Sequence, residues 1–179
     1  MKLAIGIVVV VGILLVWYVS TFNSIKRADL KVSEALSGID VALTKRYDVL
    51  TKMLDVTKAY KIHEKEVLTE LVSLRAGMSM SDRNAANSKM DALSSQFRFL
   101  AENYPELRSS ENFVQLQRVI ADVEEHLQAS RRLYNANVTA YNGRIVTFPS
   151  NIVAGMMGAT SKAFFEADEV KRQDVKMNF

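Results

Sequence analysis

The chain has 179 residues, 49% of them hydrophobic and 24% charged, with a formal net charge of +3 and no cysteine. That length holds one domain of ordinary size plus a short appendage, and the missing cysteine excludes disulfides, thiolate metal sites, thiol nucleophiles and lipoprotein acylation. Basic and acidic residues are interleaved rather than blocked, so no nucleic-acid footprint is expected.

An unusual share of the hydrophobic residues lies before Asn23. From Leu3 to Phe22 nothing is charged, and roughly 20 residues rising about 1.5 Å each match the roughly 30 Å hydrocarbon core of a bilayer. Residues 1–25 therefore read as a transmembrane anchor, with Leu3, Ile7, Val11 and Leu14 in lipid. Phe22 closes the anchor, and Trp17 and Tyr18 fall near the interface, where aromatic rings with a polar edge are favoured. Val19, Ser20, Thr21 and Phe22 make a poor signal-peptidase site, which favours an uncleaved anchor over a secretory leader. Gly6 and Gly12 are six apart, so the four-residue spacing of a close-packed helix pair is absent. Lys26, Arg27 and Lys31 follow the span against Lys2 and the amino terminus before it, so the positive-inside rule places the following domain in the cytoplasm.

Residues 26–166 read as a helical bundle domain. Val32, Leu36, Ile39, Leu43, Tyr47, Leu50 and Leu54 step by three or four, one face of a helix, and Val67, Leu71 and Leu74 carry the stripe on to Gly77. One helix of some 70 residues from inside the membrane is expected. Met78 to Asp82 is then a loop, with Ser81 or Asp82 capping the next helix. That second helix carries Ala86, Met90, Leu93, Phe97, Leu100 and Tyr104 and stops near Asn103, because Pro105 lacks the amide a helix needs. Ser109 or Ser110 caps a third helix with Leu116, Ile120, Val123, Leu127, Tyr134, Val138, Tyr141, Ile145 and Phe148 on one face, ended by Pro149. No segment alternates as a strand does. The expected fold is all-α: a transmembrane helix continuing into a long-helix antiparallel bundle of three to four helices, coiled-coil-like in its packing.

From Ile152 to Phe165 the chain is too apolar for a solvated tail and too short to span a bilayer as a helix. Ile152, Val153, Met156, Met157, Phe164 and Phe165 either complete the core as a fourth helix, meet a neighbouring subunit, or lie on the membrane. Residues 167–179 read as an exposed tail.

Three stretches together resemble the LemA family. The most specific is Arg131 to Phe165, RRLYNANVTAYNGRIVTFPSNIVAGMMGATSKAFF, in which two Tyr-Asn pairs seven residues apart (Tyr134-Asn135 and Tyr141-Asn142) precede Phe148-Pro149-Ser150-Asn151. The second, Ile39 to Glu64, places Arg46, Tyr47, Asp48, His63 and Glu64 where the family has them, and the third is the N-terminal anchor. Thr51 departs from the pattern, which commonly has a proline there, so a kink is weaker here. The resemblance implies a bacterial inner-membrane protein with a helical domain and no agreed biochemical activity. Some relatives are associated with magnetosome membranes, which implies membrane organisation by analogy only.

Catalytic constellations are not found in the sequence. His63-Glu64-Lys65-Glu66-Val67 lacks the second histidine of a zinc helix, and the residues three before His63 and His126 are Tyr60 and Val123, not the glutamates of a di-iron bundle. Glu124, Glu125 and His126 read as a solvated helix face rather than a metal site. No cofactor is expected. The Tyr-Asn pairs repeat on one face at two helical turns and are read as register-fixing contacts to a facing helix, with Arg46, Tyr47 and Asp48 as partners. The leading expectation is a non-enzymatic membrane scaffold that self-associates through Ile152 to Phe165. An adaptor for another membrane protein comes second, and a ligand-binding sensor with a polar pocket at Tyr47, Tyr134 and Tyr141 third.

Overall fold

The computed structural model describes residues 1–59 and 79–165. Among the described residues every regular element is a helix: α1 (Lys2–Ala59), α2 (Met80–Asn103), α3 (Pro105–Arg108), α4 (Glu111–Val146) and α5 (Ser150–Met156). The protein is all-α, as expected. Continuation of α1 to Gly77, the positions of His63 and Glu64, and the 167–179 tail lie outside the described residues. Two compact units divide the described residues, one of Met1–Leu36 with Leu133–Phe164 and one of the described residues between Ser37 and Arg132 with Phe165.

No proline interrupts α1, so its 58 residues run as a single helix. It is the one helix among the described residues long and apolar enough to cross a membrane, judged by length and composition. Almost every side chain before Thr21 is exposed, and burial begins at Ile25. In the first unit Ile25, Ala28, Val32 and Ala35 of α1 and Tyr134, Val138, Tyr141 and Ile145 of α4 are buried. Both sets step by three and four, the spacing of helices packed at a small angle. The pairing is antiparallel: the Asn137 amide donates to the Lys31 carbonyl at 3.2 Å, and the Arg144 guanidinium reaches the Ser24 carbonyl at 3.5 Å.

Pro149 ends α4 as expected, and the Phe148–Pro149 peptide bond is cis. Ser150 does not cap α5; its hydroxyl donates backwards to the carbonyls of Arg144 (2.7 Å) and Thr147 (2.8 Å), closing the end of α4. Nor does the apolar segment form a long fourth helix. At Gly158 φ is +63°, and the Ala159 and Gly158 amides bond back to Ala154 and Gly155. That is the left-handed glycine stop at a helix C-terminus, and the chain beyond it to Phe165 is not helical.

The second unit packs the rest of α1 with α2, α3 and the first part of α4. Leu50, Phe97, Leu107 and Phe113 are fully buried at its centre with Met53, Met90, Leu93 and Leu100 around them, each worth about 1.5–3 kcal/mol of transfer free energy. Ser79, rather than Ser81 or Asp82, caps α2. The Asp82 amide donates to the Ser79 hydroxyl oxygen and the Ser79 amide to the Asp82 carboxylate, both at 3.1 Å, a complete capping box. Pro105 stops α2 at Asn103, but as a first-turn residue it also opens α3, whose Leu107 enters the core. This short helix was not signalled by periodicity because four residues are too few to show one.

Candidate functional site

Three clusters take up the residues singled out in the sequence. The first is built on Arg46, which occupies the α1 stripe between Leu43 and Leu50 and is only 1% exposed. Its guanidinium donates to the Asn87 side-chain oxygen at 2.8 Å and to Ser94 Oγ at 3.4 Å, and pairs with Asp91 at 2.5 Å and Glu124 at 3.0 Å. One cation thus ties α1 to α2 and α4. Burying a guanidinium is costly unless charge and hydrogen bonds compensate it, and four partners from two other helices do so at its two terminal nitrogens, leaving Nε buried without a partner among the described residues. Glu124 is therefore an ion-pair acceptor that still reaches water, its side chain 40% exposed, while Glu125 and His126 are exposed. Tyr47, expected in the stripe, is only partly buried against this core, while Asp48 is exposed. Nearby, Arg83 forms a two-pronged pair with Asp40, at 2.6 Å and 2.9 Å, the geometry that favours arginine over lysine.

The second cluster holds the extended segment after Gly158. Tyr134 and Tyr141 are each 4% exposed. The Tyr134 hydroxyl donates to the Ala163 carbonyl at 2.8 Å. Asn142 acts as a surrogate strand: its side-chain amide donates to the Lys162 carbonyl and its oxygen accepts from the Lys162 amide, both at 2.9 Å. The Lys162 ammonium lies 5.6 Å from the Tyr141 ring centre and 3.0 Å from the Asp29 carboxylate. The hydrogen bond that the Lys162 ammonium donates to the Asp29 carboxylate holds its pKa above the ordinary 10.5, with burial opposing. In the second unit Phe165 is buried under the Arg131 guanidinium at 4.6 Å, a cation–π contact. Of the two Tyr-Asn pairs, Tyr134 and Asn142 bond to the main chain of an extended segment, where contacts to a facing helix with Arg46, Tyr47 and Asp48 were expected. Main-chain recognition leaves no side-chain signature in that segment, so sequence alone could not reveal it.

The third is an open groove of about 720 Å³ in the second unit. Val41, Lys45, Asp48, Val49 and Lys52 of α1 form one wall and Val119, Asp122, Val123 and His126 of α4 the other. Val41 is 53% and Val119 37% exposed. Among the described residues no group of three or more His, Cys, Asp or Glu is placed to hold a metal ion.

The remaining sequence candidates divide sharply. Val153 and Phe165 are buried and Met157 half-buried, whereas Ile152, Met156 and Phe164 are exposed. Phe148, read as part of a structural motif, is 75% exposed.

Two comparisons bear on identity. The LemA family pattern matches residues 35–179. A curated relative, Protein LemA of Metamycoplasma hominis, is 31% identical over 173 residues, covering 94% of this chain and 79% of the relative.

Proposed function

The chain belongs to the LemA family, and from that premise we propose that it is a non-enzymatic, single-pass protein of the bacterial inner membrane with a structural, membrane-organising role. The carrying observation is the continuity of α1: the helix whose first residues are apolar and exposed is the same helix whose later residues line both cores. A bundle built on the extension of its own anchor has its orientation to the bilayer fixed by backbone hydrogen bonds rather than by a linker. Lys26, Arg27 and Lys31 favour the cytoplasmic side for the domain.

Self-association belongs to this reading, at a surface other than the one first expected. Val153, Ala154 and Phe165 are consumed by the chain's own packing. The groove between α1 and α4 instead leaves two valines open to water, with Lys45 and Lys52 on one wall and Asp122 on the other. A twofold pairing of this groove would set the α1 wall of one copy, with Lys45, Asp48 and Lys52, against Asp122 and His126 of the next, a seam of mixed charge around the two valines.

The test is the particle mass of the full chain in nanodiscs, with Val41→Glu and Val119→Glu for comparison. The scaffold reading expects a defined assembly that the paired substitutions reduce to monomers. A monomeric parent protein instead favours an adaptor for another membrane protein, to be sought by co-purification.

A further inference from the structure

We propose that the turn joining α4 to α5 is a second membrane contact, dipping Val146, Phe148, Ile152 and Met156 into the leaflet that α1 leaves. This inference rests on reading α1 as the membrane anchor. Its first support is helix register. Moving seven residues along α4, from Asn137 to Arg144, moves the contact seven residues back along α1, from Lys31 to Ser24. Continued by two residues, the same register sets Val146 level with Phe22, where the apolar run gives way to Asn23 and Ser24. Phe148 follows beyond the helix end.

The second support is what this tip exposes. Val146 is 65%, Phe148 75%, Ile152 48% and Met156 71% exposed. Four large apolar side chains within eleven residues, beside the end of a membrane span, make a patch continuous with a lipid-facing surface rather than an isolated one.

The third support is the main chain. A helix end placed in lipid needs its terminal carbonyls satisfied from within. The Gly143 carbonyl accepts from the Thr147 amide and hydroxyl, Arg144 from Ser150, and Thr147 from the Ser150 hydroxyl and the Asn151 amide. The Thr147 and Ser150 hydroxyls are thus turned onto the turn's own carbonyls, the single Ser150 proton shared between two of them, which lowers the cost of placing this helix end in the interface.

Charge agrees. From Leu127 to Phe165 there is no acidic residue, while Arg144 stands one helical turn behind the tip, beside Ser24, and Lys26 and Arg27 follow Ser24 closely along α1. Cations there meet anionic headgroups, and no carboxylate is forced into the interface.

Because the chain has no cysteine, single Phe148→Cys, Ile152→Cys and Met156→Cys substitutions each give one labelling site on a surface position. The full-length protein, labelled with an environment-sensitive fluorophore and reconstituted in vesicles of phosphatidylglycerol and phosphatidylethanolamine, is read by quenching from lipids carrying a shallow nitroxide. Val11→Cys reports the anchor and Thr139→Cys the water-exposed flank of α4. The proposal expects blue-shifted emission and at least about twofold more quenching at positions 148, 152 and 156 than at 139, from shallow burial in the interface. Lipid quenching at 11 with water-like emission at the three tip positions overturns this contact alone. Blue shift at the tip without lipid quenching overturns it in favour of a subunit contact. A water-like signal at 11 removes the anchor reading and this inference with it.

Discussion

The two units are threaded by the same two helices, α1 and α4, yet they are held by different chemistry. In the second unit a buried arginine reaches α2 and α4 through Asn87, Asp91, Ser94 and Glu124. In the first, where no α2 is present, a tyrosine hydroxyl and an asparagine amide grip the main chain of an extended segment. An ion pair specifies which helices meet and at what register, but leaves charge stranded if one member is lost. An amide pairing with backbone is nearly indifferent to the sequence it holds, and its loss frees only that segment. The second unit should therefore fail as a whole, and the first locally.

The largest effect sharpens that contrast at Arg46. Arg46→Ala is expected to cost about 3 kcal/mol, near the low end for a broken buried pair because Asp91 and Glu124 both keep some access to water. Denaturant unfolding followed by helicity measures it. The compensated triple variant Arg46→Met, Asp91→Leu and Glu124→Leu should recover most of that loss, since well-packed apolar residues often replace a buried ion network at little cost. A triple variant as unstable as Arg46→Ala would break the comparison.

Next comes Asn142→Ala, which removes both bonds to Lys162 and is expected to cost about 1–2 kcal/mol. Its signature is local: amide exchange should accelerate at Lys162 and Ala163 while the core of the second unit stays protected. Tyr134→Phe, which removes one bond to Ala163, should cost about 1 kcal/mol.

Two smaller effects are read by pH. The raised pKa of Lys162 means that its pairing with Asp29 stabilises the fold fully below 10.5 and is lost as pH climbs through the higher folded value. Asp29→Asn should flatten that alkaline loss and change stability at neutral pH by less than about 1 kcal/mol, because both partners are partly exposed. At the other extreme, the side-chain hydrogen bond from Ser79, followed by that from its amide, holds Asp82 below its ordinary 3.8. The capping box therefore contributes above 3.8 and is lost as pH falls through the lowered value, fraying the start of α2. Ser79→Ala, which keeps the amide but loses the hydroxyl, should reduce this acid sensitivity in exchange measurements on residues 80–84.

Much of this architecture is legible in the residues. The stripes of α1 and α4, the stops at Pro105 and Pro149 and the all-helical character follow from spacing and from proline's missing amide. Arg46 was visible as a motif residue but not as a core residue, because a periodicity search scores its charge as surface. The signal was nonetheless present, since Ile39, Leu43, Arg46, Leu50 and Met53 step by four, three, four and three. Tyr47, one position out of that register, was placed in the stripe in its stead. Composition marks Ile152 to Phe165 as apolar but does not say how an apolar segment divides. Gly158, by taking a left-handed conformation, ends α5 early and turns half the segment into a strap. The exposure of Phe148 depends on the depth at which α4 ends against α1, a tertiary fact with no local signature.

The central claim is that anchor and bundle are one helix. Hydrogen–deuterium exchange on the full-length protein in lipid nanodiscs tests it most directly, because a linker exchanges within seconds and a continuous helix does not. The account predicts unbroken protection of α1 from Leu14 through Phe22 and Ile25 to Ala35. A window of rapid exchange between Ser20 and Asp29 would contradict it, separating the anchor from the domain it is held to orient.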